Sequence, residues 1–264
     1  MKVLHIGPHK TGSTFLQSQV FPYLQGVNYY GDGSISACMR KNVQLQPNSI
    51  PLFSTEAALG YPYPNAKPPR IEEVMQLCAD YGITHLLALK RPYPSWIRSI
   101  WFQYLNEGGT RRLDRWYQLN LNALESWRRL FVDLDKASKN SGIELKVFDW
   151  REMAEHPSDS VTAIAEFLKS DFSYSSVKHE KANVSRKGKL TILAYRNLNR
   201  IWIWRHPGRF AKLFRNFPRH LIQGRKGIGG ALDRISFSTV ASPEQLNNLS
   251  WFEPDSADSD RAVS

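Results

Sequence analysis

Two cysteines in 264 residues, Cys38 and Cys78, are too few for a disulfide framework or a metal cluster. They read as small buried thiols, and no redox chemistry is expected of them. Long apolar runs are missing too. No stretch of about 18 apolar residues occurs, and the N-terminus enters "KVLHIG" rather than an apolar leader, so the chain is expected to be soluble. Acidic residues are scarce: Asp and Glu number 24 against 35 Lys and Arg, a net charge of +11. That excess predicts anionic partners, whether ligand, polymer or membrane, without choosing among them. The deficit is concentrated. Residues 181–232 hold 13 Lys or Arg and no Asp or Glu.

What is present is a chain that is 42% hydrophobic and 12% aromatic, enough to bury one large core with an appendage. Short apolar runs at 2–6, 27–31, 50–54, 84–90 and 143–149 read as strands, several apolar throughout as buried parallel strands are. Helical periodicity covers about 12–25, 70–82, 94–107, 113–140 and 157–169, the last opened by Pro157 at a favoured first-turn position. This β-α-β rhythm predicts an α/β fold: an open, mostly parallel sheet flanked by helices, with ligands where strand C-terminal ends feed helices. Segments 32–48 and 60–69 are loop-like, rich in Gly, Pro, Asn and Ser.

The first strand runs into "GPHKTGST", residues 7–14. A strand, a glycine turn and a helix start aim unpaired backbone N–H groups at one place, which suits a tetrahedral oxyanion. A nucleotide-triphosphate loop needs Gly-Lys-Ser or Gly-Lys-Thr at its end. Here Gly7 and Gly12 have the spacing, but Ser13 and Thr14 follow Gly12 directly and Lys10 stands mid-loop. Triphosphate hydrolysis is therefore disfavoured. A second stretch, "KRPYPSWIRS" at 90–99, places Arg91 just past a strand end and Ser99 on the next helix, a forked cation and a hydroxyl suited to a second phosphate.

Together these stretches resemble the sulfotransferases that use 3′-phosphoadenosine 5′-phosphosulfate. "GPHKTGSTFLQ" is similar to that family's 5′-phosphosulfate loop, with Lys10, Thr11, Gly12, Ser13 and Thr14 at the matching positions; "KRPYPSWIRS" is similar to its 3′-phosphate motif, with Arg91 and Ser99 at the family spacing. "KVFDWREM" (146–153) resembles the family's strand and acidic turn, and "KANVSRKG" (181–188) its late loop over the cofactor. The resemblance implies a P-loop-like core over 1–190; the run of cations and aromatics after it reads as a basic helical segment at 191–232, followed by a tail at 233–264 expected to pack on the core or to be partly disordered. It also implies in-line transfer of a sulfuryl group from the donor to an acceptor hydroxyl or amine, without metal. On that reading Lys10 stabilises charge on the departing oxygen, Thr14 and the loop amides hold the 5′-phosphate, and Arg91 with Ser99 holds the 3′-phosphate. Asn183, Ser185, Arg186 and Lys187 are lid candidates.

An alcohol acceptor needs a base. Glu56, after a strand end in "LFSTEAAL", and His9, inside the loop, are the two candidates; Glu56 can equally cap a helix starting near Ala57, and His9 can simply line the cleft. The acceptor, whether carbohydrate, lipid or small molecule, has no readable code, although Tyr61, Tyr63, Trp116 and Tyr117 offer rings for stacking or for the core. Cations interleaved with Trp202, Trp204, Phe210, Phe214 and Phe217 make 191–226 a candidate for an anionic membrane surface, an anionic acceptor, or an ordinary amphipathic packing face. The expected location is cytoplasmic, with peripheral attachment at the inner membrane face, and no nucleic acid partner is expected. Two other classes stay open: a nucleotide kinase-like P-loop enzyme, and a non-catalytic binder of anionic membrane or nucleic acid.

Overall fold

A computed structural model describes residues 1–31 and 48–172, together with Asn197. Its described residues build a five-stranded, wholly parallel sheet in the order β2-β3-β1-β4-β5. The strands are β1 (Val3–Ile6), β2 (Val27–Tyr30), β3 (Ile50–Ser54), β4 (His85–Lys90) and β5 (Glu144–Asp149). Each lies within a residue or two of the apolar run that predicts it. The three central strands bury nearly every side chain, whereas β2 and β5 form edges with partly exposed residues, which is why only the former read as unbroken apolar runs. Pro51, which has no N–H to give a ladder, is in register with Asn28 of the edge strand, and the pairing of β3 with β1 begins one residue later at Leu52.

Helices cover the sheet. Helix α1 (Ser13–Phe15) runs on as a π-helical turn (Leu16–Val20) and a 3₁₀ turn (Phe21–Tyr23) with Pro22 in it. Helices α2 (Ile71–Tyr81) and α3 (Tyr93–Asn106) follow. The single helix expected over 113–140 is instead three: α4 (Leu113–Leu119), α5 (Leu121–Arg128) and α6 (Leu130–Asn140). Asn120 makes the first break. Its amide donates to the Trp116 carbonyl at 2.7 Å while its side-chain oxygen accepts the Ala66 N–H at 2.8 Å, so it trades helix continuity for a tertiary tie. Helix α7 (Trp150–Glu155) is too short to show periodicity in sequence and was not anticipated; Asp149 caps it by accepting the Arg151 N–H at 2.6 Å. Helix α8 (Pro157–Phe167) begins on the expected proline.

One apolar cluster joins Val3, Leu52, Leu87 and Leu89 of the sheet to Leu16, Val20 and Phe21 of the first helical run and to Val161, Ile164 and Leu168. Cys78, on α2, is a buried free thiol, and burial pushes it up to about 12. The described residues fall into two compact units. One holds all of them up to Tyr104 and from Arg111 to Phe172; the other contributes Asn197 and Leu105–Thr110, where the Gly108 N–H donates to the Leu105 carbonyl at 3.1 Å. Among the described residues, no helix is long and apolar enough to cross a membrane, and no group of three or more His, Cys, Asp or Glu is arranged to hold a metal ion.

Candidate functional site

The strand order puts β1 in the middle, with β3 on one side and β4 on the other. Chain direction changes side there, and in open parallel sheets the crevice at the strand C-terminal ends beside such a switch is where ligands bind. Four strand ends deliver side chains to it: His9 and Lys10 after β1, Glu56 after β3, Arg91 after β4 and Trp150 after β5.

The turn from Gly7 to Gly12 is left-handed at two residues, Lys10 (φ 72°) and Gly12 (φ 94°). Glycine is required at the second on two counts, since a Cβ there would also stand 2.7 Å from Trp150 Cδ1 and 2.9 Å from its Nε1. A lysine in this conformation is strained, and strain of this kind persists only where surroundings impose it. They do. The loop carbonyls are held by protein donors: Thr11 Oγ1 donates to Pro8 at 2.9 Å, Trp96 Nε1 to His9 at 2.9 Å and Arg91 Nη1 to Lys10 at 2.9 Å. Thr11 and Ser13 are buried, whereas the side chains of Lys10 and Thr14 are exposed.

Arg91 is partly buried at the end of β4. Its Nε donates to Ser95 Oγ at 3.1 Å, and its guanidinium carbon lies 4.4 Å from the centroid of the Trp150 ring. Burial lowers its hold on the proton, yet a guanidinium stays charged at ordinary pH. No carboxylate among the described residues pairs with it. A partly desolvated cation without a counter-charge is a place for an anion. Ser99 is not what Arg91 touches: the hydroxyl it uses is Ser95, one turn earlier on α3, and Ser99 is half-buried on the same helix without a side-chain hydrogen bond among the described residues. The cavity beside Arg91, between Pro8, Trp96, Trp127 and Arg128, measures about 60 Å³, water-sized rather than ligand-sized.

His9 and Glu56, 47 residues apart, meet across the β1–β3 pairing. His9 Nδ1 lies 3.0 Å from Glu56 Oε2, with side chains 15% and 22% exposed. Burial would raise the Glu56 carboxyl, but its interaction with His9 and the hydrogen bond from the Ser13 hydroxyl hold it below its usual range. It is therefore an ionised carboxylate facing an imidazole. Residues 56–59 form a turn, so Glu56 caps no helix. The other ring nitrogen, His9 Nε2, is buried with no hydrogen-bond partner among the described residues. The ring stacks on Tyr61, centroids 4.6 Å apart, and meets the edge of Tyr63. A carboxylate on one imidazole nitrogen and a second nitrogen that is buried but unpartnered among the described residues can serve as an oriented general base once a hydroxyl reaches that nitrogen.

Below the loop, His5 is fully buried. Its Nδ1 is 2.7 Å from Ser54 Oγ, which also accepts from Gln17 Nε2 at 2.9 Å. Burial lowers His5 to about 4 against the opposing pull of Glu56, so it is neutral. Of the aromatic residues offered for stacking, Trp116, Tyr117 and Tyr63 are core, while Tyr61 is 48% exposed. Sequence reasoning missed Ser95 and Trp150; a serine four residues after Arg91 is a visible signal for the first, and the second lies inside the 146–153 stretch without being singled out in it. Ser185, Arg186 and Lys187, like Asn183, Cys38 and all of the basic segment 191–226 except Asn197, lie outside the described residues.

No protein-family model matches the chain, and no curated protein matches it in sequence. Among solved structures it is similar to a mouse sulfotransferase, SULT7A1 complexed with PAP, at 14% identity and a TM-score of 0.47 over 66% of this chain; it spans only 60% of that protein's length. It is also similar to a sulfotransferase from Alicyclobacillus acidocaldarius, at 14% identity and a TM-score of 0.48 over 75% of this chain and 91% of that one.

Proposed function

We propose that the chain is a sulfotransferase that moves a sulfuryl group from 3′-phosphoadenosine 5′-phosphosulfate to an acceptor hydroxyl. The observation that supports this reading is the direct tie between the two anion-ready elements: Arg91, a cation without a counter-charge among the described residues, holds the carbonyl of Lys10 in a loop that lacks the triphosphate lysine position. Two phosphate-seeking groups at a fixed distance suit a nucleotide phosphorylated at both ends of its ribose. The donor supplies the activated sulfuryl group: its bond to the 5′-phosphate oxygen breaks as the bond to the acceptor oxygen forms, leaving 3′-phosphoadenosine 5′-phosphate.

The chain's own residues do the rest. Lys10, exposed on the strained turn, meets the negative charge that grows on the departing phosphate oxygen. The amides of the turn and the Thr14 hydroxyl hold the 5′-phosphate, and Arg91 holds the 3′-phosphate through donors that Ser95 and Lys10 leave unused. His9 Nε2 takes the acceptor's proton, and Glu56, on Nδ1, fixes the ring and stabilises the imidazolium that forms. This assigns the base to His9 and makes Glu56 its orienting partner. Exposed Tyr61, stacked on His9, supports an acceptor with a ring to lay against it. By sequence alone, the basic aromatic segment 191–226 supports handling of that acceptor at an anionic membrane surface.

The test is Lys10→Ala, assayed with labelled donor against a panel of hydroxyl acceptors. Turnover should fall by at least about a hundredfold, since a lost transition-state contact of this kind is worth roughly 3 kcal/mol, while 3′-phosphoadenosine 5′-phosphate still binds. A variant that keeps more than about a tenth of the activity contradicts the role.

A further inference from the structure

Trp150 touches both anion-facing elements from a third strand end. It is the first residue of α7, directly after the Asp149 cap that fixes the start of that helix. One edge of its indole closes over Gly12, so closely that a methyl group there would sit 2.7 Å from Cδ1. The face of the ring carries the Arg91 guanidinium at 4.4 Å. The ring also packs on the core cluster that includes Phe148 and Met153, so it is anchored from below. Tryptophan is the best aromatic partner for a cation, and the attraction grows when both are withdrawn from water. Arg91 without this face would be a flexible stem with two of its five N–H donors engaged, on Ser95 and Lys10. The stack restricts how the remaining donors can point, and the contact with Gly12 restricts the turn that carries Lys10.

We propose that Trp150 is a positioning residue: it fixes the Arg91 guanidinium and the Gly12 turn as one rigid anion-binding unit, so that a ligand with two phosphate groups meets both at a set separation. This rests on the reading of Arg91 as holder of the 3′-phosphate. Trp150 touches no reacting atom and acts through Arg91 and Gly12.

The experiment is calorimetric titration of 3′-phosphoadenosine 5′-phosphate into the wild type, Trp150→Phe, Trp150→Leu, Arg91→Ala and the double variant Trp150→Leu/Arg91→Ala, all in the full chain. Trp150→Leu should weaken binding roughly tenfold, equivalent to about 1.4 kcal/mol. Trp150→Phe, which keeps an aromatic face, should stay within about threefold of wild type. In the Arg91→Ala background the leucine substitution should cost clearly less than in the wild type, about threefold or under, because one of the two groups it positions is gone and only the Gly12 contact remains. Equal losses in both Arg91 backgrounds, or a phenylalanine variant no better than leucine, overturn the inference and leave the functional reading standing. A wild type that does not bind 3′-phosphoadenosine 5′-phosphate overturns both. Should Trp150→Leu fail to fold, tryptophan emission decides: ligand binding beside Trp150 should change the wild-type signal and leave Trp150→Phe nearly silent, and equal responses overturn the proposal.

Discussion

Replacing Gly12 by alanine probes the turn at its tightest point. Two costs arise and one gain opposes them. The residue sits at φ 94°, ψ 9°, where an L side chain costs roughly 1–2 kcal/mol. The new Cβ would stand 2.7 Å from Trp150 Cδ1 and 2.9 Å from Nε1, and because Arg91 and the core pin the indole, relieving that overlap costs a further ~1–3 kcal/mol. The unfolded chain loses freedom, which returns about 0.4–1 kcal/mol. The net destabilisation is about 3 kcal/mol, within a range of roughly 1–5 kcal/mol. Urea unfolding of Gly12→Ala against wild type measures it, and repeating the pair in a Trp150→Ala background separates the parts: there the overlap vanishes, and the cost should drop to about 1 kcal/mol, the conformational share alone. An identical cost in both backgrounds would refute the packing of Trp150 on Gly12. A cost near zero in the wild type would refute the left-handed turn as well.

Two further outcomes are expected. Burial holds His5 at about 4 rather than its ordinary 6.5, so the unfolded chain takes up this proton first. Stability should be full above about pH 6.5 and fall as pH drops toward 4, by up to about 3 kcal/mol, with the lowered Glu56 carboxyl adding in the same direction at the acid end; a urea midpoint flat from pH 7 to 4.5 would contradict it. Glu56→Gln should lower kcat by roughly a hundredfold or more with donor affinity little changed, as a misoriented base does, and a loss confined to KM would move the pair out of the chemistry.

Much of the sheet can be read from its apolar runs because β1, β3 and β4 are buried on both faces, and burial is what makes a run unbroken. The turn after β1 is legible for a different reason: Gly12 records a backbone need, and its spacing from Gly7 survives in the sequence. What could not be read depends on partners distant along the chain. Nothing near Asn120 announces that its side chain will take the Ala66 N–H and split a long helix. The His9–Glu56 contact exists only because β1 and β3 are neighbours, so either residue alone presents as a candidate without a role. The i, i+8 spacing offers Ser99 as a partner of Arg91 on the 3′-phosphate, whereas the direct contact of the guanidinium, Ser95 in the first turn of the next helix, depends on how the strand end meets that helix. Trp150 is silent in sequence because its importance lies in what two other loops place against it.

The most direct measurement is titration of the wild-type chain with 3′-phosphoadenosine 5′-phosphate and, separately, with ATP and magnesium, read as a shift in Tm. If Arg91 and the Gly7–Gly12 turn form a site for a nucleotide phosphorylated at both ends, the first ligand at a hundred times its Kd should add about 2.7 kcal/mol and raise Tm by several degrees, while ATP with magnesium moves it far less. Equal shifts from both ligands, or a shift from ATP with magnesium alone, would contradict the account.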